Sequence, residues 1–210
     1  MRIIREEHHA LAAMLHALLF LVRGIRSQQM KPNFELMGAL IYCIDPFPER
    51  PHHPKEDRWL FRLLLLRHPP ARAVIDRLQS EHRSGATRIR QLEQALNRYA
   101  QGGDAEMPAF AEAAEDYVTF ERNHMHTGEV EVFPLAQQYL RPDDWAAIDE
   151  ALFVNTDPLH AVAVPDGFDE LFRRIVNLAR RQSASVPTRF DLPQITRPSQ
   201  RASSLLWNPL

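Results

Sequence analysis

Imidazoles sit inside the apolar faces of this chain's helices. Between residues 2 and 27 the sequence places Ile4, His8, Leu11, Leu15, Leu18, Val22 and Ile25 at spacings of three and four, one face of an amphipathic helix. A second stripe, Ile75, Leu78, His82, Ala86, Ile89, Leu92 and Leu96, lies between residues 70 and 100. A third passes through Phe110, Tyr117, His124 and Val132. A polar group buried without a partner costs on the order of a few kcal/mol. One such histidine is ordinarily a hydrogen-bonded core residue. Several on separate helices restrict the chain to a fold in which they meet, and a transition metal inside a helical bundle would satisfy them together.

The punctuation between stripes divides the chain. Lys31-Pro32-Asn33 breaks the first helix, and Asn33 is a candidate N-cap for a second that carries Phe34, Leu36, Leu40, Ile41 and Ile44. Pro46, Pro48 and Pro51 predict a break over 45–51. Helix resumes over 52–66 and ends at His68-Pro69-Pro70. Gly102-Gly103 closes the third long helix. A fourth spans 105–139, with Pro134 marking a kink or an early end. Beyond Arg141-Pro142, shorter helices are expected at 143–154 and 167–182. The Pro- and Ser-rich remainder, 183–210, reads as an extended tail with Leu205-Leu206-Trp207 as an apolar anchor.

Composition excludes several classes. The formal net charge is −2 and the arginines are scattered among acids, so no basic nucleic-acid footprint is present. The single cysteine, Cys43, rules out an internal disulfide and thiolate-rich metal sites, and reads as a small core residue. The opening MRIIREEHHA mixes acids with bases and does not resemble a secretory signal. The apolar run Leu15 to Val22 is interrupted by His16 and too short to span a bilayer. The expectation is a cytoplasmic protein with no membrane and no nucleic-acid partner.

The candidate ligands follow from helical spacing. Residues four apart share a face, as His52 and Glu56 do. His53 and Asp57 form a competing pair one residue along, and pattern alone leaves both open. Trp59, Leu60 and Leu63 continue the face of the first pair. In the first helix His8 lies on the apolar stripe, whereas His9 shares a face with His16 on the rim. His82 stands alone on its helix. Near His124 the carboxylates are Glu129 and Glu131, and Glu129 is about 140° away around an ideal helix. Reaching His124's side would take a long side chain or a local bulge, which Gly128 would help form. Trp59 and Tyr117 read as core aromatics. Imidazole with carboxylate and no sulfur suits iron, zinc or manganese, and two carboxylates able to bridge favour a dinuclear site.

These segments resemble the hemerythrin-like (HHE cation-binding) domain family. The resemblance rests on EHHALAAML around His8, HHPKEDRWLF around His52 and Glu56, LQSEH around His82, and HMHTGEVEVFPLA around His124 and Glu129, over roughly residues 2–140. It implies an all-α, up-down antiparallel four-helix bundle over 1–140, with a C-terminal helical extension and extended tail over 141–210. The extension is expected to pack on the bundle or to form a homodimer contact. The resemblance also implies two iron ions, oxo- or hydroxo-bridged, with His8, His52, His82 and His124 as terminal ligands and Glu56 and Glu129 as bridges. The implied function is binding of a small oxidant (dioxygen, nitric oxide or peroxide) for sensing, scavenging or stress response. The alternative is a di-iron oxidoreductase or an iron donor for cluster repair. Two departures stand out. Oxygen carriers of the family place two histidines one turn apart on the third helix, whereas His82 is flanked at that spacing by Leu78 and Ala86. Either a water, Tyr117, Glu81 or His126 fills the vacated position, or it stays open. Gly128 replaces an acid common in bacterial members.

Overall fold

Eight α-helical segments and two π-helical ones account for nearly all of the described chain. The computed structural model describes residues 2–44 and 52–153. The expected break at 45–51, the helix at 167–182 and the tail lie outside these residues. α1 is Arg2–Arg26 and α2 is Phe34–Ile44. Asn33 caps α2 as its sequence position predicts, its Oδ1 accepting from Leu36 N at 2.9 Å. The next helical run is composite: α3 (His53–Lys55), a first π segment (Glu56–Phe61) and α4 (Arg62–Arg67). α5 (Arg72–Gly102) ends at Gly103, whose φ of 69° is the left-handed conformation that glycine adopts without strain. The fourth run comprises α6 (Met107–Thr127), a second π segment (Gly128–Val132) and α7 (Phe133–Tyr139). Pro134 does not end this run. It falls at the start of α7, directly after the π segment has shifted the hydrogen-bond pattern.

α1 packs on α2 and α6, and α5 packs on the same two helices. The stripes read from the sequence are buried: Leu15, Leu18, Val22, Ile75, Leu78, Ile89 and Leu92 all lie in the interior. The interior has two apolar clusters. One joins most of α1 to α2, the later part of α5 and most of α6. The other joins Ile4, Leu60, Phe61, Leu64, Ile75, Leu78, Val132 and Phe133. Along α1 the boundary falls between Ile4 and Leu11, along α5 between Leu78 and Ile89, and along the fourth run between Met125 and Val132. His8 and His82 lie in the first two intervals and His124 directly precedes the third, so a polar layer lies between the two clusters.

Three details differ from expectation or extend it. Trp59 is an exposed side chain, 38 % accessible, rather than a core aromatic. The first π segment carries Leu60 and Phe61 inward and leaves Trp59 on the solvent side. Within α1, the stretch Ile4–Arg26 is long and apolar enough to cross a membrane by length and composition, unlike the shorter run inside it, although its apolar face is buried against its neighbours. The helix after Pro142, α8 (Pro142–Phe153), places Ile148 in the second cluster, and Arg67 donates to both oxygens of Asp144 at 2.8 Å.

Candidate metal centre

Four histidines point Nε2 into the polar layer, in two pairs. His8 Nε2 and His52 Nε2 are 3.0 Å apart, and His82 Nε2 and His124 Nε2 are 3.2 Å apart. All four are buried. The opposite nitrogen of each meets a carboxylate. His52 Nδ1 donates to Glu7 Oε2 at 2.9 Å, His124 Nδ1 to Glu81 Oε2 at 2.8 Å, and His8 Nδ1 to Glu129 Oε1 at 2.9 Å. His82 Nδ1 lies 3.2 Å from Asp57 Oδ1, within ion-pair distance but off the hydrogen-bond axis. A carboxylate on Nδ1 draws the ring proton there and leaves Nε2 as a lone pair. Two such lone pairs at 3 Å repel unless a proton or a metal cation lies between them.

The carboxylates form a closed circuit. Glu7 on α1 serves His52 at the head of α3. Asp57 in the first π segment serves His82 on α5. Glu81 on α5 serves His124 on α6, and Glu129 in the second π segment serves His8 on α1. Each rod thus orients the histidine of the next.

Glu56 lies between the two histidine pairs. Its Oε1 is 3.6 Å from His52 Nε2, and its Oε2 is 3.3 Å from His82 Nε2 and 4.0 Å from His124 Nε2. It is fully buried, and Oε2 has no well-directed hydrogen bond. Burial alone would raise its pKa, but the surrounding imidazoles outweigh burial and hold it well below the usual carboxylate range. An ionised, under-bonded carboxylate among imidazole lone pairs is a donor set suited to divalent cations.

His53 completes the set. The donor atoms of His8, His52 and Glu56 lie within 4.8 Å of one another, and so do those of His53, His82 and His124. The His53 ring stacks on His82 with centroids 3.8 Å apart. Burial and the adjacent rings push its pKa far down, so it stays neutral, as a metal ligand must. His82 behaves oppositely: burial disfavours its charge, but Asp57 and Glu56 together raise its pKa to about 9. Without a cation, a proton therefore occupies this ring.

Of the residues singled out by sequence, the structure brings His8, His52, Glu56, His82 and His124 together. It does not bring Glu129 to the converging nitrogens. Glu129 stands behind His8, partly exposed, and the hydrogen bond from His8 holds its pKa down. The second π segment supplies the expected bulge, but the bulge directs Glu129 toward α1. His126 is exposed and Glu81 is occupied with His124, so the position vacated on the third helix is matched by His53 instead.

Sequence reasoning passed over Glu7 and Asp57 as orienting groups, and over Lys55, which is buried and donates to Glu7 Oε1. It also missed Glu121, buried one turn before His124. Burial pushes the pKa of Glu121 up, against the charges of His124, His52 and His82 and a hydrogen bond from Tyr117. The available signal was the Glu-His dipeptides 7–8 and 81–82 and the spacing Glu121-x-x-His124.

The hemerythrin HHE cation-binding domain matches residues 1–136. The chain belongs to this family. No curated protein and no solved structure matches it. The match covers all the site residues described above and ends within α7. Membership and the His/Glu grouping agree on a metal site in the polar layer.

Proposed function

We propose that this hemerythrin-like chain is a non-haem di-iron protein that binds a small oxidant: dioxygen, nitric oxide or peroxide. The supporting observation is Glu56, which turns one oxygen toward each histidine group. In this reading His8, His52 and Glu56 would hold the first ion, and His53, His82 and His124, with Glu56 beside them, would hold the second. The four runs that carry them form the family's up-down bundle. When bound, two ferrous ions supply two electrons and an exchangeable position for the oxidant.

The chain's own residues set the conditions around that position. The first group has two imidazoles and the second has three, so an open position would fall on the His8–His52 side. Gly128 adjoins it: a Cβ there would lie 3.9 Å from His8 Cε1, and glycine leaves that space open. The apolar clusters above and below exclude water, which strengthens electrostatic interactions in the layer. Phe133, parallel to the His8 ring at 5.9 Å, closes the second cluster against it. Burial pushes the pKa of Glu121, close to the histidines, upward. The carboxylate circuit fixes ring orientation before any ion arrives.

The test is metal analysis of protein produced with iron and zinc both available, followed by azide titration of the iron form. Two irons per chain, with visible absorption that changes on azide addition, are expected. A single zinc, or iron with no absorption that responds to azide, would overturn the proposal. A cytoplasmic setting belongs to the same proposal.

A further inference from the structure

Lys55 is an unusual residue to find in this layer. The chain has two lysines, Lys31 and Lys55, and otherwise uses arginine for positive charge. Lys55 is 4 % exposed, and its Nζ donates to Glu7 Oε1 at 2.5 Å. Glu7 Oε2 accepts from His52 Nδ1, so lysine, carboxylate and imidazole form one buried line ending at the first histidine pair.

The other three orienting carboxylates differ. Side-chain exposure is 27 % for Glu81, 34 % for Asp57 and 39 % for Glu129, against 1 % for Glu7. The three lie partly in solvent, which screens their charge and that of the arginines near them, Arg77 by Glu81 and Arg5 by Glu129. Glu7 is out of reach of solvent, and a buried carboxylate with no cation is costly. Lys55 supplies that cation, and in doing so cancels the negative charge that would favour a metal ion at His52. A compact ammonium suits the role, since a guanidinium is larger and demands planar pairing.

We propose that Lys55 weakens the first ion site by neutralising Glu7, so that the ion held by His8, His52 and Glu56 is the more loosely bound of the two. This makes Lys55 a tuning residue acting through Glu7 and His52. The inference rests on the metal-centre reading above and adds a direction to it. A lysine that merely staples α1 to α3 would make a different prediction, because removing either end of a staple loosens His52.

The experiment uses the full chain, stripped of metal and titrated with cobalt(II) against a competing chelator. In Lys55→Met the weaker of two cobalt sites should tighten about tenfold, since Glu7 then faces the ion uncompensated. In Glu7→Gln it should weaken about 10- to 100-fold, the usual effect of altering an outer partner of a ligating histidine. The double variant restores neutrality and should fall within a few-fold of the parent. Opposite signs for the single variants support the proposal. Two losses, or no change in either, overturn it. Should Lys55→Met fail to fold, Glu7→Gln and the double variant decide: recovery in the double supports tuning, and equal loss in both refutes it. A parent chain that binds no cobalt removes the metal centre itself, an outcome distinct from parent binding with same-sign variants.

Discussion

Raising the pH should destabilise the metal-free protein and leave the metal-loaded protein unaffected through the same window. The residue responsible is His82. Its pKa is about 9 in the fold and near 6.5 in an unfolded chain. A raised value means that the proton favours the folded state. The contribution is complete below about pH 6.5, where both states are protonated, and is lost as pH climbs through 9. A difference of about 2.5 units at 1.36 kcal/mol each gives about 3 kcal/mol. For a chain of this length that corresponds to a fall in Tm of roughly 6–12 °C. Glu7, Glu56, Glu81 and Glu129 have lowered pKa values and change charge only on the acid side of this window. His53, pushed down, also titrates below it. Bound metal replaces the proton on Nε2, so the loaded protein has no such proton to lose. The assay is thermal unfolding from pH 6.5 to 9.5, with chelator and with saturating zinc. Parallel curves in the two states would refute the reasoning.

Three further outcomes follow from the same geometry. His53→Ala should reduce bound metal from two ions per chain to one, measured by elemental analysis, whereas full retention of two would remove His53 from the ligand set. Gly128→Glu places a Cβ at ordinary contact distance from His8 and adds a carboxylate beside that open position; azide should bind the iron form at least about tenfold more weakly, read from its absorption change. Leu18→Ala, wholly buried in the first apolar cluster, should cost about 2–5 kcal/mol by denaturant unfolding and leave metal stoichiometry intact.

Much of the frame was readable from the sequence because its signals are local. Stripes at three and four predicted which residues of α1 and α5 are buried, Asn33 marked the start of α2, and Gly103 the end of α5. The same spacing argument picked His8 over His9 and found Glu56. It failed where the helix departs from ideal geometry. Choosing His52 over His53 assumed that one face of one regular helix enters the centre. With the π segment beginning at Glu56, both neighbours enter, one to each group. Trp59 fell to solvent through the same shift. Glu129 was assigned to the His124 side on the strength of family spacing, yet its contact is His8, 121 residues away in sequence. The orienting carboxylates were hidden for the same reason. Glu7 and Glu81 each stand next to a histidine in sequence but serve one on another helix, and no periodicity along a single segment encodes that pairing.

The carboxylate circuit has a consequence for assembly. Every rod is at once a giver and a receiver, so a screw displacement of any one of them severs two links rather than one. Four independent choices of helical phase are thereby reduced to a single collective one. Partly collapsed chains with all their helices formed but one out of phase would present mismatched nitrogens and retain little grip on an ion. Cation uptake during refolding should therefore mark the moment when the last rod locks into place, rather than the earlier appearance of helix.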